Sequence, residues 1–336
     1  PPPPPPRPGM RIRNWVRRAA RVAAAALFAL AAGCAVTTLP TSEEGVTVER
    51  AVLERTPPGG ERTEIFLFRP AGKGPFPGVV LLHGDSPEAA GMKGGKEFYY
   101  DGTGEFLASQ GYAAMAPSMP GFGGTPGDRD FVGPATLSRL RAAMAHFQAL
   151  PWVDSRRIAI FGASRGATAA ALLARSVPEV RAVILQSGLY DLRGVIEENA
   201  KTGGATAGPA KEALALQKRI EREAGKSSEA LRSRSPAAFT GQLSCPVLLI
   251  HGKEDRAVSV RQMRRFAERL RKEMGERREV ISREVPGGHV VSGALVWSEA
   301  LPFLKRCLAE PGLAKDGKPA ERPRFSKSDP TRKPGK

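Results

Sequence analysis

"IAIFGASRGATAA", residues 158–170, carries two glycine patterns at once. Its centre, Gly162-Ala163-Ser164-Arg165-Gly166, fits a glycine loop that wraps a dinucleotide pyrophosphate. It fits equally well G-x-S-x-G, the strand-to-helix turn that lifts a nucleophilic serine out of a sheet. In a chain with 37 glycines G-x-S-x-G alone proves little, so the surroundings have to decide.

Upstream, "VTVERAVLERT" and "RTEIFLFRPAG" alternate as an antiparallel pair of strands would. The pattern then changes to short apolar runs separated by helical stretches. "FPGVVLLHG", "AAMAPSMPG", "RRIAIFGAS", "VRAVILQSG", "CPVLLIHG" and "REVISREVPG" read as strands. "GEFLASQGY", "ATLSRLRAAMAHFQAL", "GATAAALLARSV", "SVRQMRRFAERLRKEM" and "GALVWSEALPFLKRCLAE" read as helices. Buried runs alternating with helices predict an α/β fold, a mostly parallel central sheet with helices on both faces. Residues 189–240 interrupt the alternation with helical stretches and no strand-like run, which predicts a helical cap inserted above the sheet. The expected organisation is a polar tether over 35–45, one domain over 46–310 including the cap, and a disordered basic tail over 311–336.

A dinucleotide loop follows the first strand of its domain and is succeeded by a further glycine for close helix packing. Here the motif follows several strands, and Thr168 stands where short-chain dehydrogenases carry that glycine. Those enzymes also pair a tyrosine with a lysine four residues later. Tyr99, Tyr100, Tyr112 and Tyr190 are followed at that distance by Thr103, Gly104, Ala116 and Gly194.

The nucleophile reading makes its own demands: a later acid, then a histidine, each after a strand. Of four histidines only His251 and His289 follow Ser164. His251 closes "CPVLLIHG" ahead of the acid, which leaves His289, in "PGGHVV", as the base. The acid is Asp255 in "KEDRAV", with Glu254 as the alternative. A serine hydroxyl becomes a useful nucleophile when an imidazole takes its proton, and a carboxylate holds that imidazole in the right tautomer. The oxyanion would be met by the backbone N–H of Arg165 and by that of Asp85 in the loop "HGDS". Plainer roles exist beside these: Asp255 also suits a helix cap, and His83, His251 and the Arg165 side chain suit structural ones.

The ends of the chain account for much of its +17 charge. Residues 1–34 carry six arginines and no acid, residues 311–336 an excess of five basic charges, and +6 remains for 35–310 without a dense basic run. Nucleic-acid binding is therefore not expected. "MRIRNWVRRAARVAAAALFALAAGCAV" has the basic flank, apolar run and small residues of an export signal, and its run is too short to span a bilayer. "LAAGC" resembles the lipobox of bacterial lipoproteins, with Ala31 where that motif carries leucine. The resemblance implies lipidation of Cys34 and a membrane-anchored envelope protein, the alternative being a soluble periplasmic or secreted one. Cys245 and Cys307 are expected as free buried thiols.

"VVLLHG", "IAIFGASRGA", "SPAAFTGQLSCPVLLIHGKEDRAVSV" and "VPGGHVV" together resemble the α/β-hydrolases, in the dienelactone-hydrolase and prolyl-oligopeptidase-like branch, over about residues 60–306. Serine at 164 departs from the cysteine of dienelactone hydrolases, and Ala167 from the further glycine usual in prolyl oligopeptidases. The resemblance implies a serine hydrolase of small-molecule carboxylic esters that needs no metal or organic cofactor. A peptidase or amidase on the same residues and a catalytically silent binding protein are the alternatives.

Overall fold

The computed structural model describes residues 35–56, 61–85, 91–200, 209–275 and 278–310. The expected export signal, Cys34 and the basic tail lie outside the described residues. No helix among the described residues is long and apolar enough to cross a membrane.

Among the described residues nine strands form one sheet: β1 (Ala35–Leu39), β2 (Thr47–Thr56), β3 (Glu61–Arg69), β4 (Phe76–Leu82), β5 (Ala113–Pro117), β6 (Val153–Ala163), β7 (Val180–Gln186), β8 (Val247–Gly252) and β9 (Val280–Val285). Their order is β1-β2-β3-β5-β4-β6-β7-β8-β9. The first three strands pair antiparallel with one another and onto β5; from β5 to β9 every pairing is parallel. The apolar runs are long for the reason the sequence pattern suggests: β5 and β8 are buried along their whole length, because helices cover both faces.

Those helices are α1 (Glu97–Tyr100), α2 (Thr103–Ser109), α3 (Pro134–Ala149), α4 (Arg165–Ala174), α5 (Leu192–Ala200), α6 (Pro209–Ala224), α7 (Ser228–Ser233), α8 (Val260–Met274) and α9 (Gly293–Cys307). One face of the sheet packs on α3, α4 and α8 through Leu140, Phe147, Leu172, Phe266 and Leu270. The other packs on α1, α2 and α9 through Phe98, Leu107, Trp297 and Phe303. Helix α4 is buried at every position, which explains its run of alanines: larger side chains would hold it off the sheet.

Helices α5, α6 and α7 form the cap expected over 189–240. Leu216, Ile220 and Ala224, four residues apart on α6, make one apolar stripe. With Leu192, Val195 and Leu231 it closes a third core, and Phe131 and Val258 reach that core from the main domain.

Residues 35–39, expected within a polar tether, instead form β1, paired in register from Ala35 opposite Val52 to Leu39 opposite Val48. The segment is short, and as an edge strand it leaves one side open to solvent, with Val36 exposed. Such a strand carries no apolar periodicity to detect. Its β-branched Val36-Thr37-Thr38 is the trace that was there to be seen.

Candidate active site

Parallel strands bring their carboxyl ends to one edge of the sheet, and that is where the sequence motifs converge. Ser164 sits between β6 and α4 with φ 54° and ψ −118°, a conformation that side chains other than glycine rarely adopt. Its amide donates to the Gln186 carbonyl at 2.8 Å, and its carbonyl accepts from Ala167 at the start of α4. The flanking glycines have a steric task, since neither takes a positive φ. A Cβ at Gly162 would lie 2.1 Å from the Gly166 carbonyl oxygen, and one at Gly166 would lie 2.0 Å from that of Leu82. The strain thus falls on Ser164 itself, and the glycines let helix and strand approach closely enough to impose it.

Asp255 follows β8 and His289 follows β9, and His289 stands between Asp255 and Ser164. His289 Nε2 lies 2.8 Å from Ser164 Oγ, and His289 Nδ1 lies 2.8 Å from Asp255 Oδ2. The Asp255 side chain is fully buried, while His289 is about a quarter exposed at 27%. Burial alone would raise the Asp255 carboxyl. Hydrogen bonds from His251 and His289, the His289 charge and the Val258 amide outweigh it and hold the group well below the usual carboxylate range. Glu254, the alternative acid, is engaged elsewhere: its Oε2 accepts from the Gly287 amide at 2.6 Å and pins the loop that carries His289.

The loop after β4 runs beside this group. A Cβ at Gly84 would stand 3.4 Å from Ser164 Cβ, so the backbone leading into Asp85 passes close to Ser164. Arg165 begins α4, where the first amides have no partner within the helix. Its side chain turns inward. The guanidinium is 2% exposed, with Nε 2.6 Å from Asp85 Oδ1, Nη1 2.6 Å from Glu223 Oε2, and Cζ 4.5 Å from the centre of the Phe131 ring. Arg219 adds a second cation to Asp85, at 2.7 Å. Burial pushes the Asp85 carboxyl up, but Arg165 and Arg219 more than offset it and hold it below its ordinary value. Arg219 and Glu223 both come from cap helix α6, so ion pairs bind the cap to the turn carrying Ser164 and to the Asp85 loop. Neither residue stands in a motif; a cap helix placing Arg219 and Glu223 one turn apart gives no sign of its target.

His83 is structural. Its Nε2 accepts the Met119 amide at 2.9 Å and its Nδ1 donates to the Gly84 carbonyl at 2.8 Å. Burial, more than any other influence, pulls it down to about 4. The unfolded chain then binds more protons than the folded one between roughly pH 4 and pH 6.5. Stability present above that window is lost as pH falls through it. His83 alone should remove about 2 kcal/mol between roughly pH 7 and pH 5, and half-buried His146, lowered by burial too, acts in the same direction. Thermal melts across that range should show a falling midpoint, and His83→Gln, which cannot titrate, should flatten the slope.

Cys245 is buried and Cys307 partly exposed, and both are free thiols.

Residues 100–308, more than half of the chain, match the family model described as the prolyl oligopeptidase family. Among curated relatives, "Uncharacterized peptidase YtmA" of Bacillus subtilis is 27% identical over 220 residues, 63% of this chain and 76% of that protein. "Esterase FrsA" of Klebsiella pneumoniae is 30% identical over 132 residues, which cover 38% of this chain and 28% of the esterase. Among solved structures, an acetyl xylan esterase from Paenibacillus sp. R4 superposes with a TM-score of 0.59 at 17% identity, over 82% of this chain and 89% of that one. A puromycin-hydrolyzing peptidase of Mycobacterium tuberculosis does so with 0.61 at 19% identity, over 81% of this chain and 41% of that one. These two show a shared fold. With its parallel sheet, its helical insertion and a serine turn at the carboxyl end of β6, the chain belongs to the prolyl oligopeptidase family of α/β-hydrolases, a family that includes both esterases and serine peptidases.

Proposed function

We propose that the chain is a serine hydrolase that cleaves small acyl substrates through an acyl-enzyme, acting on peptide amides as well as on esters. The observation that carries this reading is the unbroken chain of contacts Ser164 Oγ, His289, Asp255, at 2.8 Å for each link. His289 Nε2 takes the hydroxyl proton as Ser164 Oγ attacks the substrate carbonyl carbon, and Asp255 holds Nδ1–H and steadies the imidazolium. The oxyanion is met by the backbone N–H groups of Arg165 and Asp85. His289 then gives its proton to the departing nitrogen or oxygen, leaving the acyl group on Ser164. Water repeats the sequence and releases the acid. The cap bounds the substrate space on the Asp85 side.

The sequence reading places esters first; the family match and the peptidase-named Bacillus relative, which the chain spans over 76% of its length, favour amides. The esterase relatives support ester cleavage as the second reading. Amides are the harder bond, because the nitrogen leaves only when protonated, so a site that cleaves them also cleaves activated esters. Parallel assays with p-nitrophenyl acyl esters and aminoacyl p-nitroanilides separate the readings. Turnover of both is expected. Ester turnover alone would reduce the protein to an esterase, and turnover of neither would favour a silent binding protein. Export, with a lipid anchor at Cys34, belongs to the same proposal and is supported by the basic flank, apolar run and small residues before that cysteine.

A further inference from the structure

His251, the penultimate residue of β8, is fully buried and takes no part in the steps above. Its Nε2 lies 2.9 Å from the Val258 carbonyl oxygen and 2.9 Å from Asp255 Oδ2. That carboxylate oxygen is the one His289 Nδ1 meets at 2.8 Å. A lone pair on Nε2 would face two oxygens, so the geometry requires a proton there. Nδ1 is buried with no hydrogen-bond partner among the described residues, so an N–H on that side would be stranded. The ring is therefore held as the Nε2–H tautomer, with its proton shared between a carbonyl and the carboxylate.

The other oxygen of Asp255 is occupied as well. Oδ1 accepts the amides of Ala257 and Val258, both at 2.9 Å. His289 thus binds a carboxylate whose charge three other donors already draw on, and His251 is the one that competes for the same oxygen.

We propose that His251 is a positioning residue that acts through Asp255: it fixes Oδ2 toward His289 and limits how tightly the carboxylate retains the His289 proton. The proposal rests on the reading of Ser164, His289 and Asp255 as the reacting group. Without the His251 donor, Oδ2 carries more negative charge toward His289 Nδ1–H, and the imidazolium persists to higher pH. Less of the enzyme then holds the free base on the acid side of the profile. The other charged groups around the pair stay in place. Glu284 lies opposite His251 on β9 and is held by Arg264 at 2.7 Å, Lys253 and Glu254 follow β8, and Ser164 faces His289 from the turn before α4.

His251→Met and His251→Gln test this in the full chain. The two side chains are nearly equal in size and shape, so both bear the same packing cost, and only glutamine keeps an N–H donor near the Nε2 position. The readout is the pH dependence of kcat/KM on an activated ester from roughly pH 5 to pH 9. His251→Met should move the acid limb upward by about one unit, a loss of about tenfold below the limb, and His251→Gln should keep it near the wild-type position. An unmoved limb in His251→Met, even with a lower rate, would overturn the proposal and leave His251 a packing residue. Should His251→Met not fold, the imidazole nitrogen resonances of His251 in unmutated protein decide: a proton on Nε2 supports the proposal, and one on Nδ1 overturns it. Failure of the underlying site reading shows separately, as turnover that survives Ser164→Ala with His251 intact.

Discussion

Ser164→Ala should lower kcat on an activated ester by about 10⁴- to 10⁶-fold and abolish labelling by a fluorophosphonate probe, while the thermal midpoint stays within a few degrees of wild type. In the proposed mechanism serine, imidazole and carboxylate act as a unit, so the effect is large: without Oγ no acyl-enzyme would form, and the remaining donors would only polarise the carbonyl. Stability changes little because alanine bears the same φ of 54° that serine does, and the hydroxyl contributes one hydrogen bond to a partly exposed imidazole. Labelling that persisted in Ser164→Ala would move the nucleophile elsewhere. Absent labelling in both proteins would remove serine hydrolysis from consideration altogether.

Arg165→Met is expected to destabilise the fold by about 3–5 kcal/mol, the usual consequence of removing one partner from a buried ion pair. Asp85 and Glu223 would then lose the cation between them, in a place where their side chains are 13% and 3% exposed. Desolvation is unfavourable to both buried carboxylates, and Arg219 on one and the more distant Arg129 and Arg222 on the other only partly replace the missing charge. The double variant Arg165→Met, Glu223→Met should recover much of the loss, because it removes the stranded carboxylate along with its partner. Chemical denaturation of wild type, both single variants and the double variant yields the coupling between the two positions. Additive losses would mean that the Arg165–Glu223 pair contributes nothing of its own to holding the cap.

Much of the fold is legible in the sequence because both signals it depends on are local. Apolar runs such as "CPVLLIHG" reflect strands covered on both faces, and "GASRG" reflects a turn whose glycines are needed for close approach. The order of Ser164, Asp255 and His289 is legible too, since parallel strands send every following loop to the same sheet edge. Glu254 and Asp255 are adjacent in sequence, and although position past the strand favours Asp255, what each side chain touches is seen only in three dimensions. One reaches His289 and the other the amide of Gly287 in the loop just before it. The short edge strand β1 escaped detection because one solvated side leaves five residues without a pattern.

From composition, periodicity and motif order alone follow the parallel sheet, the helical cap and the three residues that meet at its edge. These are properties of each segment and of chain direction. Tertiary structure alone decided what surrounds those residues: that His251 shares the carboxylate of Asp255 with His289, and that Glu223 and Arg219 of the cap close on Arg165 and Asp85. Apart from His251 and Asp255, which are four residues apart, such contacts join side chains tens of residues apart whose partners depend on how the cap seats and how a buried charge finds its neutraliser. No local pattern encodes that choice, because burial sets it only once the whole domain has closed.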